Sequence, residues 1–560
     1  EAVYGEKKYP LTGSGEENAP GEYRDWFRER RAMAAIQEYF PLEDKEQKLA
    51  RCGSAPEQVY RVLESGVAAL MELGEVQATD RFHSLKIRRK TRITMGVSVE
   101  SEILNLSVTS EDISREELLE VLKSYRAKKK FHRLKSGDFL DLEGKTLEEL
   151  SQMMEALRIS PAAFVKGKME VPAYRALYLD KMLEQGQGVY FDRDRRFKQM
   201  IKAFKTVKDS DFEVPAALKK TLRGYQETGF KWLRTLDAYG FGGILADDMG
   251  LGKTIQAIAF LLSLKEEGRE GISLVTAPAS LVYNWGEEFA RFAPALKVCL
   301  ITGSQEERRQ KIQDYKNWDV FVTSYDLLKR DGAEYEGISF ACQILDEAQY
   351  IKNHATAAAK SVKIIKSRTR FALTGTPIEN RLSELWSIFD YLMPGYLYAY
   401  ETFKKSLETP IVKNQEKEAS DRLRQMISPF ILRRLKADVL TDLPDKLEEV
   451  RFARLEGEQQ RLYDGQVVHM RQLLTEENDE EFQKNKIKIL AELTKIRQIC
   501  CDPALCFEGY AGSSAKREVC LELIKSAMEG EHKVLLFSQF VSMLELLAED
   551  LKAQNIPFYT

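Results

Sequence analysis

The sequence lacks any run approaching the ~20 consecutive apolar residues of a membrane-crossing helix. Its longest apolar candidates, such as Ala257 to Leu264, have the length of core segments. Cysteine is sparse, with seven in 560 residues (Cys52, Cys299, Cys342, Cys500, Cys501, Cys506 and Cys520) and none at small-domain spacing. That excludes a disulfide framework and points to a reducing compartment, the cytoplasm. The trio Cys500, Cys501 and Cys506 has no paired CxxC and no nearby histidine, so it reads as buried thiols rather than zinc ligands. Net charge is also nearly absent, at −3, so any affinity for nucleic acid must come from local basic surface. The amino end carries Lys7, Lys8, Pro10, Gly13, Gly15 and Pro20 where a signal peptide would have an apolar core. It opens on Glu1 rather than Met, so the natural start is expected upstream. What is present, 44% hydrophobic and 31% charged residues, is ordinary for globular protein, and the length suggests roughly three or four domains.

A helical stretch runs from Tyr23 to Tyr39. From Ile93 to Thr109 apolar residues fall in rough alternation (Ile93, Met95, Val97, Val99, then Ile103, Leu104, Leu106, Val108), which predicts two strands. Phe131 to Leu142 reads as a hairpin around Ser136-Gly137, and Leu147 to Leu157 as a helix. Two basic runs, Lys86 to Arg92 and Arg126 to Lys135, can touch phosphates but read more simply as solvated faces. The polar segment Thr206 to Pro215 ends this α+β region, and strands and helices of doubly wound type come after it.

The chemistry begins with LRGYQETGFKWL, in which Gln226 opens an amphipathic helix that turns Phe230 and Leu233 inward. Its amide both donates and accepts, which suits an adenine edge. The strand Gly243 to Ala246 then runs into Asp247, Asp248, Met249, Gly250, Leu251, Gly252, Lys253 and Thr254, followed by a helix from Ile255 to Leu264. Strand, glycine loop and helix is the setting of a phosphate-binding loop. Backbone N–H groups and the helix N-terminus cradle the phosphates of ATP, Lys253 reaches the β- and γ-phosphates, and Thr254 ligates Mg²⁺. The pattern GxxxxGK[ST] is met except at its first glycine, where Asp247 stands. The apolar run Ile338 to Leu345 leads into Asp346-Glu347-Ala348-Gln349, as a Walker B strand does. There Asp346 would hold the metal and Glu347 would polarise the attacking water. Between these motifs, the strand Ile272 to Thr276 precedes Ser280, Asn284 and Trp285, and the strand Asp319 to Val322 precedes Thr323, Ser324 and Tyr325. Small hydroxyls and helix starts at strand ends are donors suited to a nucleic-acid backbone. A last strand, Arg370 to Leu373, ends in Thr374-Gly375-Thr376-Pro377, a turn able to sense nucleotide state if its strand neighbours the Walker B strand.

Taken in order, these motifs resemble the superfamily-two helicase-like ATPases. The wording of ADDMGLGKTIQ, LTGTPIENRLSELWSIFDYLMPG, ILRRLKADVLTDLPDK, LTKIRQICCDP and KVLLFSQF is similar to the Swi/Snf family. The resemblance covers residues 220 to 560 and implies an ATP-driven translocase that tracks along intact double-stranded DNA. It implies Arg223 and Gln226 at the adenine, Lys253 and Thr254 at the phosphates and Mg²⁺, and Asp346 and Glu347 at the metal and water. It sets Ser280, Asn284, Trp285, Thr323, Ser324 and Tyr325 along the tracked strand, and Ser538 and Gln539 in a second-lobe DNA loop. Gln349, Thr374, Gly375, Thr376, Arg433 and Arg434 would couple the two sites, the arginines within a brace from Arg433 to Lys446. Many relatives have His where Gln349 stands, and bacterial and archaeal members often have Gln. Residues 90 to 205 resemble the module that accompanies bacterial Swi/Snf ATPases, through VSVESEILNLSV, FHRLKSGDFLDLEG and VPAYRALYLDKML.

The expected fold is α/β, built of RecA-like P-loop lobes. It comprises an α+β accessory domain over 1–205, a linker over 206–216, lobe one over 217–395, a helical insertion and brace over 396–485, and the start of a truncated lobe two over 486–560. Lobe two is expected to stop just past its first strand and helix, with the family's arginine finger beyond Thr560. The expected partners are double-stranded DNA and a DNA-bound protein substrate, in a cytoplasmic, nucleoid-associated setting. Two other readings stay open: a strand-separating helicase or RNA-dependent ATPase, and a DNA-binding scaffold without turnover.

Overall fold

The structure is a computed structural model. It describes residues 2–4, 6–9, 25–44, 49–89, 91–100, 103–185, 188–375, 381–440, 447–475 and 479–560. The chain divides into two compact units, Glu1–Thr441 and Asp442–Thr560.

In the first unit the alternating segment forms β1 (Ile93–Glu100) and β2 (Ile103–Ser110), an antiparallel pair with Val97 opposite Leu106. Every second residue of β1 from Ile93 to Val99 is buried, which is the period-two pattern of a half-buried strand. Strands β3 (Met169–Pro172) and β4 (Tyr190–Arg193) complete a sheet of order β3-β2-β1-β4. Phe131–Arg133 pairs antiparallel with Phe139–Asp141, with Gly137 at φ 97° in the turn, where a residue bearing Cβ would be strained. Ile87–Arg88 joins the other edge of Phe139–Asp141, so the two basic runs of the sequence flank one small sheet.

Arg175 fastens this α+β region to the segment around Tyr396. Its buried guanidinium donates to the carbonyls of Ala156 (3.1 Å) and Tyr396 (3.2 Å) and stacks over the Tyr398 ring at 5.0 Å. The Tyr398 hydroxyl donates to the same Ala156 carbonyl at 2.9 Å.

Next comes a seven-stranded parallel sheet. Its strands are β5 (Gly243–Leu245), β6 (Ser273–Ala277), β7 (Val298–Leu300), β8 (Val320–Ser324), β9 (Ser339–Leu345), β10 (Lys366–Leu373) and β11 (Ile431–Leu432). They lie in the order β7-β8-β6-β9-β10-β5-β11. Strands β5, β6 and β8 are buried at every residue, as expected where helices cover both faces of a parallel sheet. Helices α1 (Gly224–Ala238), α2 (Lys253–Glu266) and α3 (Val282–Phe292) pack around it. The chain leaves β5 and skips past β10 and β9 to reach β6, so the loop after β5 opens at a topological switch, where α/β sheets bind ligands. The last strand, β11, comes from the segment that sequence reading assigns to the insertion and brace.

The second unit is helical: Gly457–Thr475, Asp479–Cys501, Ala515–Glu529 and Val541–Ala553. The expected strand within KVLLFSQF is absent. Val534 to Phe537 have no ladder partner among the described residues, and Phe537 is 85% exposed. An apolar segment becomes a strand only where a neighbour pairs its backbone, and this unit supplies none among those residues. Cys500, Cys501 and Cys506, expected to be buried, are half-buried free thiols. No described helix is long and apolar enough to cross a membrane.

Candidate nucleotide site and its flanks

The loop after β5 is shaped by two glycines in the left-handed region, Gly250 (φ 85°) and Gly252 (φ 72°). A Cβ on Gly252 would stand 2.5 Å from Nε2 of Gln226, so both the φ and the space require glycine. α2 starts at Lys253, which leaves its first backbone N–H groups without intrahelical partners and aimed out of the loop. The Lys253 ammonium donates to the carbonyls of Asp247 (2.8 Å) and Asp248 (3.5 Å). Thr254 is half-buried, Leu251 buried and Met249 72% exposed. Arg223 is exposed at the N-cap of α1. Gln226 is buried with both amide functions engaged: its oxygen accepts from Arg223 N–H at 2.9 Å and its nitrogen donates to the Leu251 carbonyl at 3.1 Å.

Asp247, where a glycine would satisfy the pattern, does not face the loop's opening. Its carboxylate is 0% exposed and meets the Arg434 guanidinium, Oδ1 to Nε at 2.8 Å and Oδ2 to Nη2, while Gln256 Nε2 donates to Oδ2 at 3.2 Å. Arg434 is thus held under the loop, whereas Arg433 is exposed.

Asp346 and Glu347 close β9. The Asp346 carboxylate, 8% exposed, accepts the indole N–H of Trp285 at 2.9 Å and the Glu347 N–H at 2.9 Å. Burial pushes its pKa up, which the Trp285 hydrogen bond and the Lys253 charge only partly oppose. Glu288 is also raised, by burial first and by Asp346 second. Two neighbouring carboxylates whose ionisation burial opposes are the chemistry that a divalent cation neutralises, so Asp346 fits a bound Mg²⁺. Glu347 adopts φ 49° and ψ 56°, a left-handed conformation that costs a non-glycine residue roughly 1 kcal/mol or more.

From Glu347 a polar relay runs to β10. Gln349 Nε2 donates to Glu347 Oε2 at 2.8 Å, and the Thr374 hydroxyl donates to Gln349 Oε1 at 3.0 Å. β10 lies between β9 and β5, with Leu345 opposite Ala372 and Leu245 opposite Leu373, which meets the condition set for a sensing turn. A Cβ on Gly375 would stand 3.4 Å from Met249 Cγ, so this turn borders the phosphate loop. Thr376 lies outside the described residues.

The residues assigned to a DNA track separate into two groups. Ser280 and Asn284 are exposed beside and on α3. Trp285, Thr323, Ser324 and Tyr325 are buried, so their side chains turn into the core. Buried indole and phenol groups need acceptors, and both find Asp346: Trp285 its carboxylate, Tyr325 its main-chain carbonyl at 2.7 Å. The Ser324 hydroxyl accepts from Leu327 N–H at 3.2 Å and caps a helix. In the second unit, Ser538 Oγ accepts from Phe540 N–H at 3.1 Å, and Gln539 accepts from Arg497. Sequence reasoning missed Glu288 and Tyr350. Glu288 lies one helical turn past Trp285 on the same face. Tyr350 is half-exposed and stacks on Tyr325 at 5.0 Å, and only the fold brings those rings together.

The family described as SNF2-related domain matches residues 225–505, and that described as bacterial SNF2 helicase associated matches residues 1–215. The chain belongs to the SNF2-related family. It is 40% identical over 373 residues to the putative ATP-dependent helicase/translocase YwqA of Bacillus subtilis, covering 64% of this chain and 39% of that one. It is 31% identical over 532 residues to an uncharacterized ATP-dependent helicase of Mycoplasma pneumoniae, covering 93% and 49%. The chain therefore spans less than half the length of either relative. Among solved structures it is similar to the Sulfolobus solfataricus SWI2/SNF2 ATPase core in complex with dsDNA, at 38% identity, covering 62% of this chain and 72% of that one, with a TM-score of 0.40.

Proposed function

We propose that this SNF2-related chain is the ATP-handling part of a motor that translocates on double-stranded DNA and displaces or remodels proteins bound to it without separating the strands. One observation carries the reading: Asp346 receives the Trp285 indole N–H on its carboxylate and the Tyr325 hydroxyl on its carbonyl. The two segments assigned to the DNA track are thereby hydrogen-bonded to the residue assigned to the metal. A change at the nucleotide moves both segments, and a load on them is felt at Asp346.

In this reading Lys253 and the N-terminus of α2 bind the phosphates, Thr254 and Asp346 hold Mg²⁺, and Arg223 and Gln226 border the adenine. When bound, Mg²⁺ neutralises phosphate charge. Glu347 orients the attacking water and takes its proton, with Gln349 fixing one carboxylate oxygen at 2.8 Å. Thr374 carries the state of Glu347 through Gln349 to the turn at Gly375. Ser280 and Asn284 offer exposed groups to a DNA backbone. The relatives named as ATP-dependent helicases support ATP use, and the one named a helicase/translocase supports a motor that moves.

The test is ATP hydrolysis by the full-length protein with duplex DNA, single-stranded DNA or RNA, alongside strand-displacement and triplex-displacement assays. Duplex stimulation with triplex displacement and no strand separation is expected. Stimulation by single strands or RNA alone, or strand separation, would replace this reading with that of a helicase or RNA-dependent ATPase.

A further inference from the structure

Asp247 departs from the general phosphate-loop pattern, and the structure shows where that carboxylate goes. Residues 431 to 436 lie against the loop along their length. β11 runs parallel to β5, with Ile431 opposite Ile244 and Leu432 opposite Leu245. Ala246 N–H then donates to the Leu432 carbonyl at 2.7 Å and Asp248 N–H to the Arg434 carbonyl at 3.0 Å. Lys436 N–H donates to Asp248 Oδ2 at 3.0 Å. From this ladder the Arg434 side chain turns inward. It grips both oxygens of Asp247, donates to Gln256 Oε1 at 2.7 Å and to the Tyr225 carbonyl, and lies 5.2 Å from the centre of the Tyr225 ring. Three segments far apart in sequence thus meet on one guanidinium: the start of α1, the phosphate loop with α2, and the strand after residue 430.

Gly229 confirms how closely that junction is packed. It sits on the buried side of α1, and a Cβ there would collide with Gln256 Oε1 and stand 2.8 Å from Arg434 Nη2. Gly229 leaves room for the Gln256 amide and, beside it, the Arg434 guanidinium.

We propose that Asp247 and Arg434 form a latch that sets the shape of the phosphate loop, with Arg434 a positioning residue that acts on nucleotide through Asp247 and Lys253. The link is direct: the carbonyl of Asp247, whose side chain Arg434 holds, is the one against which the Lys253 ammonium rests at 2.8 Å. Two parallel N–H···O bonds fix the carboxylate in orientation as well as place, which one ammonium cannot do. The inference rests on the ATP reading above and adds to it a determinant 187 residues from Asp247.

The full-length protein serves for the test, with a fluorescent ATP analogue and Mg²⁺ for affinity, steady-state kinetics at saturating duplex DNA, and thermal melting for folding. Arg434→Gln is expected to weaken nucleotide binding about tenfold and to raise KM in step, with kcat at saturating ATP within about twofold. Arg434→Lys should recover only part of the affinity, and Gly229→Ala, which alters no charge, should weaken it in the same sense. Asp247→Asn combined with Arg434→Gln should bind no worse than Arg434→Gln alone, because partners that act as a unit are not additive. A folded Arg434→Gln that binds nucleotide as the parent does, or a double variant whose loss is the product of the single losses, overturns the latch. If Arg434→Gln does not fold, Gly229→Ala decides: a folded Gly229→Ala that binds nucleotide as the parent does overturns the latch. Lys253→Ala separates the two claims. If the parent fails to bind the analogue, or Lys253→Ala binds it equally well, the ATP reading itself fails and the latch falls with it.

Discussion

At the carboxyl ends of β5 and β9 the same sheet buries two aspartates and treats them in opposite ways. Asp247 is fully enclosed and met by a guanidinium on both oxygens, with an amide as a third partner. Asp346 is nearly as buried, yet among the described residues its carboxylate is hydrogen-bonded by an indole N–H and a backbone N–H, and Glu347 opposes its ionisation while the Lys253 charge favours it. The first carboxylate is paired with a guanidinium, whereas the hydrogen-bond donors to the second are neutral among the described residues. Burial alone therefore does not identify the working residue of a pair. The partner's charge is the better guide: a buried carboxylate paired with a guanidinium holds structure, and one without a hydrogen-bonded counter-charge is a candidate for binding a cation.

The comparison breaks most visibly at its satisfied end. Arg434→Ala leaves the Asp247 carboxylate buried without a counter-charge, and thermal or denaturant unfolding should show a loss of about 3 kcal/mol. A melt like that of the parent would mean that Asp247 finds water or another partner. At the other end, Glu347→Gln should keep nucleotide affinity and lower DNA-stimulated turnover by ~10²-fold or more, since one positioned catalytic group is lost. Hydrolysis at the parent rate would move the water-orienting role elsewhere.

Trp285→Phe sharpens the contrast, because it removes one of the few donors to Asp346 while keeping an aromatic body in the core. Duplex DNA should then stimulate ATP hydrolysis about tenfold less, roughly the 1.4 kcal/mol of one hydrogen bond to a charged group, with melting lowered by a few degrees because the smaller ring leaves a cavity.

The smallest effect is one of pH at Asp346. The pKa of Asp346 is raised in the folded state, so the folded chain keeps this proton to higher pH than the unfolded chain does. The associated stability is full below the ordinary carboxylate range and is lost as pH rises through the folded value. Asp346→Asn removes that loss, so at neutral pH and without nucleotide its melting temperature should exceed the parent's by a few degrees at most. The gap should close on acidification. A variant that melts lower than the parent at neutral pH would show that the carboxylate is stabilising after all.

By itself the sequence determined the elements whose signals are local. Alternating burial from Ile93 to Val99, the glycines at 250 and 252 and the apolar run ending at Asp346 each carry a strand, a turn or a helix start in a few adjacent residues, and the structure has them there. The nearness of Lys253, Asp346 and Thr374 was also legible, because motifs at the ends of parallel strands converge on one edge of a sheet. What the tertiary structure decided was which way side chains face and what answers them. Trp285 and Tyr325 carry no sequence mark that turns them inward to Asp346. Short strands such as β7 and β11, three and two residues long, show no periodicity and exist through their neighbours' backbones. The apolar run from Val534 to Phe537 is the converse, a strand-like sequence with no ladder partner among the described residues. Asp247 shows the same limit most clearly: in the sequence it is a departure from a glycine pattern, and only the arrival of Arg434 on the edge strand next to β5 turns it into half of an ion pair. Local propensity is written in adjacent residues, but the free energy of a buried charge depends on its neighbours in space.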